Sequence, residues 1–433
     1  MCNTPRLQHH KQDQKSFCIT QREVREAYRQ VKANRGAAGV DGESIAQFEG
    51  KLRRNLYQLW NRLSSGSYVP PPVRMVEIPK ASGTGVRMLG IPTVADRIAQ
   101  QVVKARIEPV LDPLFHPDSY GYRPKKSALE AVRIARQRCW QHDWVVDLDV
   151  QGYFDNISHD KLMVALRRHI TEPWILLYVQ RWLVAPAQDL GGALIARPRG
   201  TPQGGVVSPL LANLFLHYVF DEWMRQQYPH IPFERYADDM IVHCKTEREA
   251  QRLRAAIADR MIACALTLHP EKTKIVYCKD ANRRGTYPTE SFDFLGFTFR
   301  PRWSRRARDG RCFTSFSPAI SKTASTAIRA TIRSWQLPLC DGLRIEMLSV
   351  KFNPQIRGWI QYYGRYGRSA LYPILYQLDT ALTKWAMKRY RNLRHQKTRA
   401  NQLLHRIKEA QPELFAHWQL GAWCGDRAVV GAV

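Results

Sequence analysis

Apolar and charged positions alternate strictly in one short run of this chain. Val146, Leu148 and Val150 fall on one face of an extended strand, and Asp147 and Asp149 fall together on the other. In residues 233–242 two adjacent carboxylates interrupt β-prone apolar flanks, which predicts a tight hairpin with Asp238 and Asp239 at its tip. Residues 75–92 place two apolar runs around Ala81-Ser82-Gly83-Thr84-Gly85 and predict another β-hairpin, while residues 292–299 alternate apolar positions around Gly296 and predict a strand.

Elsewhere the spacing is helical. Val24, Ala27, Tyr28 and Val31 sit at i, i+3, i+4 and i+7 within residues 19–63, a helical stretch interrupted by a glycine-bearing loop over residues 34–42. Thr93 is placed to cap a helix that starts with Val94. Residues 160–182 read as helical and amphipathic. Gly200-Thr201-Pro202-Gln203-Gly204-Gly205 leads into an apolar helix over residues 210–220, and another helix is expected over residues 246–265. From about Ser321 the pattern is helical only, with Ile356, Trp359, Ile360 and Tyr363 on one stripe and a dense basic helix over residues 384–399.

Composition sharpens this picture. The 433 residues suffice for two or three domains, and 66 Lys and Arg against 38 Asp and Glu leave a formal net charge of +28. From Arg300 onward there are 24 basic and 7 acidic residues, so the C-terminal third is expected to grip a polyphosphate partner. The nine cysteines form no Cys-x-x-Cys pair, which argues against a zinc site and a disulfide framework and suits a reducing cytoplasm. No apolar run approaches the ~18 residues of a membrane span, and the polar first twenty residues lack a signal-peptide core.

Two β elements that present carboxylates suit a two-metal phosphoryl-transfer site, in which Asp oxygens hold two Mg²⁺ roughly 3.5–4 Å apart. An Asp pair in a turn is also ordinary turn chemistry, and Lys80 and Arg87 on the first hairpin are as compatible with solvent as with a triphosphate. The motifs add a resemblance. Tyr236-Ala237-Asp238-Asp239 resembles the YxDD box of reverse transcriptases, and Asp149-Val150-Gln151-Gly152-Tyr153-Phe154-Asp155 resembles their first catalytic motif. Residues 34–42 resemble the N-terminal extension of group II intron and other non-retroviral members. Asn353-Pro354-Gln355-Ile356-Arg357-Gly358-Trp359 resembles the thumb of group II intron maturases, called domain X.

The resemblance implies an α+β right-hand polymerase, with fingers and palm followed by an all-helical thumb/maturase domain. The expected division is a polar N-terminal tail over 1–20, fingers with their extension over 21–140, palm over 141–315, thumb over 316–395 and a basic C-terminal tail over 396–433. By the same resemblance Asp149, Asp238 and Asp239 are catalytic and bind metal, together with the Val150 main chain, while Asp147 is not a member. Lys80, Arg87, Phe154 and Gln203 would bind the nucleotide, with Phe154 as a steric gate against a ribose 2′-OH. Arg123, Tyr236, Leu295 and Gly296 would lie along template or primer, and Arg357, Lys388, Arg389 and Arg391 would bind RNA from the thumb.

The implied protein is an RNA-directed DNA polymerase and maturase of a bacterial group II intron, in the cytoplasm and associated with the nucleoid when acting on DNA. Its partners would be intron RNA, an RNA template with a DNA primer, target DNA and dNTPs, with no membrane. Only 15 residues follow Trp418, with one Cys and no His. The expectation is therefore the short form without an HNH endonuclease, which takes its priming 3′-OH from elsewhere. Two alternatives stay open: a defence-associated or domesticated reverse transcriptase, which the absence of a flanking ribozyme would identify, and an RNA-binding splicing factor that no longer polymerises.

Overall fold

The computed structural model describes residues 16–79, 85–305 and 309–420. The chain begins with three helices, α1 (Gln21–Asn34), α2 (Ile45–Gly50) and α3 (Leu52–Ser64). Thr20 and Glu23 form a reciprocal capping box at the start of α1, and the helix buries Val24, Ala27, Tyr28 and Val31 as its periodicity requires. β1 (Val73–Pro79) and β2 (Val86–Ile91) pair antiparallel as expected, and the turn containing Lys80 lies outside the described residues. Thr93 caps α4 (Val94–Leu111), which packs against α1. From α4, Arg97 donates to the carbonyls of Arg35 and Ala37 at 3.3 and 2.8 Å, so the 34–42 loop is fastened to this helix.

The central sheet is built from β3 (Trp144–Asp149), β6 (Phe233–Tyr236), β7 (Asp239–Cys244) and β8 (Lys274–Tyr277), in the order β6-β7-β3-β8, all antiparallel. Two short strands, β4 (Ala187–Gln188) and β5 (Leu194–Ile195), extend the β1–β2 hairpin instead. One face of β3 buries Val146 and Leu148 in the main core. That core draws on α6 (Tyr153–Asn156), α7 (His159–Arg167), α8 (Pro173–Val184), α9 (Ser208–Leu216), α10 (Glu222–Gln227) and α11 (Glu247–Ala263). The helical stretch expected over residues 160–182 divides into α7 and α8, because Pro173 opens a new helix and cannot donate a backbone hydrogen bond within an old one. On the opposite face of β3, α5 (Ala128–Gln141) covers Val145 and leaves Asp147 and Asp149 toward the open end.

A third sheet of β9 (Phe292–Phe294), β10 (Phe297–Arg305) and β11 (Cys312–Ile320) packs beside α5. Residues 292–299 are therefore not one strand but a hairpin. Leu295 and Gly296 form its two-residue turn at φ +51° and +80°, a conformation that glycine adopts without penalty. β11 runs through the expected boundary at 315, and Ser321 then caps α12 (Lys322–Ser334).

The helical C-terminal region adds α13 (Ile345–Tyr363), α14 (Tyr372–Arg389) and α15 (Lys397–Ala410) around a core of Leu348, Phe352, Ile356, Leu378, Leu382, Trp385, Leu404, Phe415 and Trp418. The basic helix expected over 384–399 breaks after Arg389. Tyr390 is extended and His395 sits at φ +63° before α15 begins. Residues 397–420 are not a tail: Asn353 bonds the Leu414 carbonyl and the Ala416 amide, and Asp379 accepts from His417 and Trp418.

What aims the Asp-Asp hairpin is a buried guanidinium. Arg235, with no exposed side-chain surface, grips Asp221 in a fork at 2.7 and 2.6 Å, then donates to Asn213 Oδ1 at 2.9 Å and the Ala237 carbonyl at 3.1 Å. Asn213 in turn donates to the Gly121 carbonyl at 2.7 Å. A Cβ at Gly121 would stand 2.3 Å from the Ala237 nitrogen, so only glycine lets the 118–123 loop seat against the hairpin tip. Replacing Arg235 with Ala strands Asp221 as a buried charge and should cost about 3–5 kcal/mol in a urea unfolding curve. Arg225→Ala, which breaks only the exposed pair with Glu222, should leave the midpoint in place. Equal midpoints for both variants would contradict the role given to Arg235.

Candidate active site

Register brings the predicted carboxylates together. Asp149 at the end of β3 lies directly opposite Asp239 at the start of β7, and Tyr236 pairs with Asp239 across a two-residue turn of Ala237 and Asp238. Ala237 holds φ +58°, a conformation that costs a residue with a Cβ about 1–2 kcal/mol and that the Arg235 bond to its carbonyl maintains.

These carboxyl groups are electrostatically crowded. Loss of solvation drives the Asp239 pKa well above the usual carboxylate range, and Asp147, Asp238 and Asp149 add to the rise, against one favourable hydrogen bond from the Leu295 backbone. Burial also raises Asp238, with Asp149 adding to the effect and Arg87 and Arg235 opposing it. Asp147, outside the predicted trio, is pushed up to about 7 by burial, with Lys274 pulling it down and Asp149 and Asp293 pushing it further up. Lys272 Nζ stands 3.2 Å from Asp149 Oδ2, an exposed contact of little stabilising worth.

All the candidate ligands are oxygen donors, the set that hard divalent cations take. Among the described residues, no three or more His, Cys, Asp or Glu side chains gather as they stand into a group that could hold a metal ion. Mutual repulsion of the carboxylates opposes such closure, and a cation would remove it. Val150, proposed as a main-chain ligand, is buried and bridges Leu268 beside the loop whose His269 amide bonds the Asp149 carbonyl at 2.7 Å.

The expected nucleotide contacts converge on the same end of the sheet, as far as they are described. Gly152 at φ +55° turns the chain into α6, which carries a half-buried Phe154 against the main core. The Phe154 carbonyl accepts from the Thr201 amide at 2.8 Å, and a Cβ at Gly200 would strike the Asp155 carbonyl oxygen at 2.7 Å. The glycine loop therefore lies directly on α6, and its Gln203 carbonyl accepts from the Gly90 amide on β2 at 2.8 Å. Arg87, exposed on β2, is near enough to act on the charge of Asp238.

The residues expected along template and primer are placed as follows. Leu295 and Gly296 do reach the site: the Leu295 backbone bonds Asp239, and Tyr362 from α13 donates to the Leu295 carbonyl at 2.8 Å. Tyr236 packs 6.4 Å from Tyr122, at the tip of the 118–123 loop. The Arg123 guanidinium turns inward to Asp112 Oδ1 and to the carbonyls of Asp112, His116 and Ser119 at 2.7–2.9 Å, and so shapes the loop.

The thumb cations are exposed but not gathered. Arg357 lies on α13, whereas Lys388 and Arg389 at the end of α14 both meet Asp341, and Arg391 follows in a short turn. Sequence reasoning missed Arg235, Asp221, Asn213, Lys272 and Tyr362. The one available signal was a charged pair, Glu234 and Arg235, inside an otherwise apolar strand.

Comparison with known proteins identifies two matching families. Residues 78–299 match the family described as reverse transcriptase (RNA-dependent DNA polymerase), and residues 325–404 match the group II intron, maturase-specific domain. Protein YkfC of Escherichia coli is 32% identical over 303 residues, 60% of this chain and 79% of that protein. The group II intron-encoded protein LtrA of Lactococcus lactis is 30% identical over 236 residues, 53% of this chain and 38% of LtrA. A putative COX1/OXI3 intron 1 protein of Saccharomyces cerevisiae is 29% identical over 254 residues, 57% of this chain and 29% of that protein. No helix among the described residues is long and apolar enough to cross a membrane.

Proposed function

The chain belongs to the reverse transcriptase family and carries a group II intron maturase-specific domain, and from that premise we propose that it is the RNA-directed DNA polymerase and maturase of a group II intron. The observation that carries this reading is the register pairing of Asp149 with Asp239, with Asp238 in the adjoining turn. A protein that only bound RNA would have no use for three carboxylates crowded against their own repulsion.

Asp149, Asp238 and Asp239, with the Val150 carbonyl, would hold two Mg²⁺. Such ions, when bound, activate a 3′-hydroxyl and stabilise the departing pyrophosphate. The chain's own residues do the rest. Arg87 and Lys80 receive the triphosphate of the incoming dNTP, Gln203 lies along the nascent pair, and Phe154 excludes a 2′-hydroxyl by volume. The Leu295-Gly296 turn, fixed by Tyr362, sets the primer end of a DNA strand paired to an RNA template against Asp239. Arg357, Lys388, Arg389 and Arg391 would grip the intron RNA, favouring its spliced fold and delivering it to target DNA.

Asp238→Asn keeps the volume of the side chain and removes its charge. Magnesium-dependent primer extension on an RNA template should fall at least on the order of 100-fold, the scale of losing one preorganised electrostatic group, while the melting temperature holds or rises. Near-normal extension would sink the assignment of the site.

Phe154→Ala should change discrimination more than rate. Single-nucleotide assays should show ribonucleotide incorporation rising toward that of deoxynucleotides. A variant that melts earlier and still rejects ribonucleotides would make Phe154 a packing residue instead.

A further inference from the structure

Beyond the Leu295-Gly296 turn, β10 runs on for nine residues, and its far half carries a cluster of basic residues. Arg300, Arg302 and Trp303 of β10, Arg136 of α5, and Arg365 and Tyr366 after α13 line a cavity of about 460 Å³, and no acidic residue is among its lining. Trp303 is seven residues past Gly296, roughly 23 Å along an extended strand, with Phe297 and Phe299 buried between.

Each lining group is poised for an anion or an aromatic ring. Arg136 is sandwiched, 4.5 Å from the Trp140 ring and 5.6 Å from the Tyr366 ring, and its buried Nε has no hydrogen-bond partner. Arg302 is anchored to the carbonyls of Ser317 and Thr298 at 3.1 and 3.2 Å, and burial with Arg300 nearby pushes its pKa down to about 10. Arg300 and Arg365 are exposed and make no ion pair among the described residues. Trp303 leaves 74% of its surface to solvent, the largest exposure of any tryptophan described. Among the described residues none of these four guanidiniums has an ion-pair partner, Arg300 acts against the charge of Arg302, and the indole beside them is largely open to solvent. A strand that alternates phosphates and flat bases answers both needs.

We infer that this cavity binds an unpaired polynucleotide strand, with phosphates on Arg300, Arg302 and Arg365 and one base stacked on Trp303. The inference rests on the polymerase–maturase reading and adds to it a second nucleic-acid site, separate from the template–primer path. In function it would hold a single-stranded segment of intron RNA while the polymerase site is loaded.

The test uses full-length protein first saturated with an unlabelled, pre-annealed template–primer, then titrated with a labelled unpaired 12-mer of RNA or of DNA. The wild type should bind the 12-mer, and preference for RNA or for DNA tells whether the strand is intron RNA or displaced target. Arg300→Glu with Arg365→Glu should weaken binding at least tenfold and make the dependence on salt shallower by about 1.4 in log–log slope, for two phosphates at ~0.7 each. Trp303→Ala should lose roughly tenfold, the scale of one stacked base, with little change in salt slope. Both variants should extend the pre-annealed primer at the wild-type rate. The inference fails if the preloaded wild type binds no 12-mer, if the variants bind like wild type, or if they lose extension in proportion to binding. Absence of extension in the wild type would instead overturn the polymerase reading and leave the binding result standing.

Discussion

Everything at the catalytic end hangs on one buried ion pair. The Arg235–Asp221 fork lies fully out of water, and a buried pair of this kind tolerates neither partner alone. Its remaining donors fix Asn213 and the Ala237 carbonyl, and through Asn213 they fix Gly121. Three segments distant in sequence, residues 118–123, α9 and the β6–β7 turn, are thereby locked to one another. The Tyr120 amide bonds the Arg235 carbonyl at 2.8 Å and the Arg235 amide bonds Asp118 at 3.0 Å, so the loop also extends the sheet at its edge. The positive φ of Ala237 persists because this network over-determines it, as strained residues at functional sites require.

A second constraint works against the first. The lock brings Asp238 and Asp239 toward Asp149, and burial plus mutual repulsion raises the pKa values of the two hairpin carboxyls. Stability is thus exchanged for a site with excess negative potential, which a divalent cation would relieve. The Leu295-Gly296 turn contributes a neutral donor to Asp239, and Tyr362 ties that turn to α13. The helical C-terminal region is consequently coupled to the carboxylates through two hydrogen bonds and the ring contacts of Phe297 with Tyr362 and Tyr363.

Local signals carried much of this into the sequence. Period-2 alternation placed Asp147 and Asp149 on one face, the cap at Thr93 fixed the start of α4, and the Asp pair between β-prone runs marked the β6–β7 turn. What escaped was decided by contacts that no local periodicity carries. Arg123 reads as a free loop cation until the fold brings its guanidinium to Asp112 and three carbonyls. The hairpin within 292–299 reads as one strand until the change of phase in its alternation, from Phe292 and Phe294 to Phe297 and Phe299, is set beside the glycine at the turn. The break at 390–396 is invisible to propensity, since Lys and Arg are good helix formers and Leu393 is buried by packing with the C-terminal core. Burial of Phe415 and Trp418 likewise follows from tertiary contacts, not from the basic composition around them.

The central claim is that Asp149, Asp238 and Asp239 form a cation site whose electrostatic cost is built in by the fold. Magnesium-dependent thermal stabilisation at constant ionic strength tests it without reference to activity. The account predicts that the wild-type melting temperature climbs with Mg²⁺, by the equivalent of about 2.7 kcal/mol at 100 times the dissociation constant, and that Asp149→Asn melts higher than wild type without magnesium but gains far less from it. Identical magnesium curves for the two proteins, or no stabilisation of either, would contradict it.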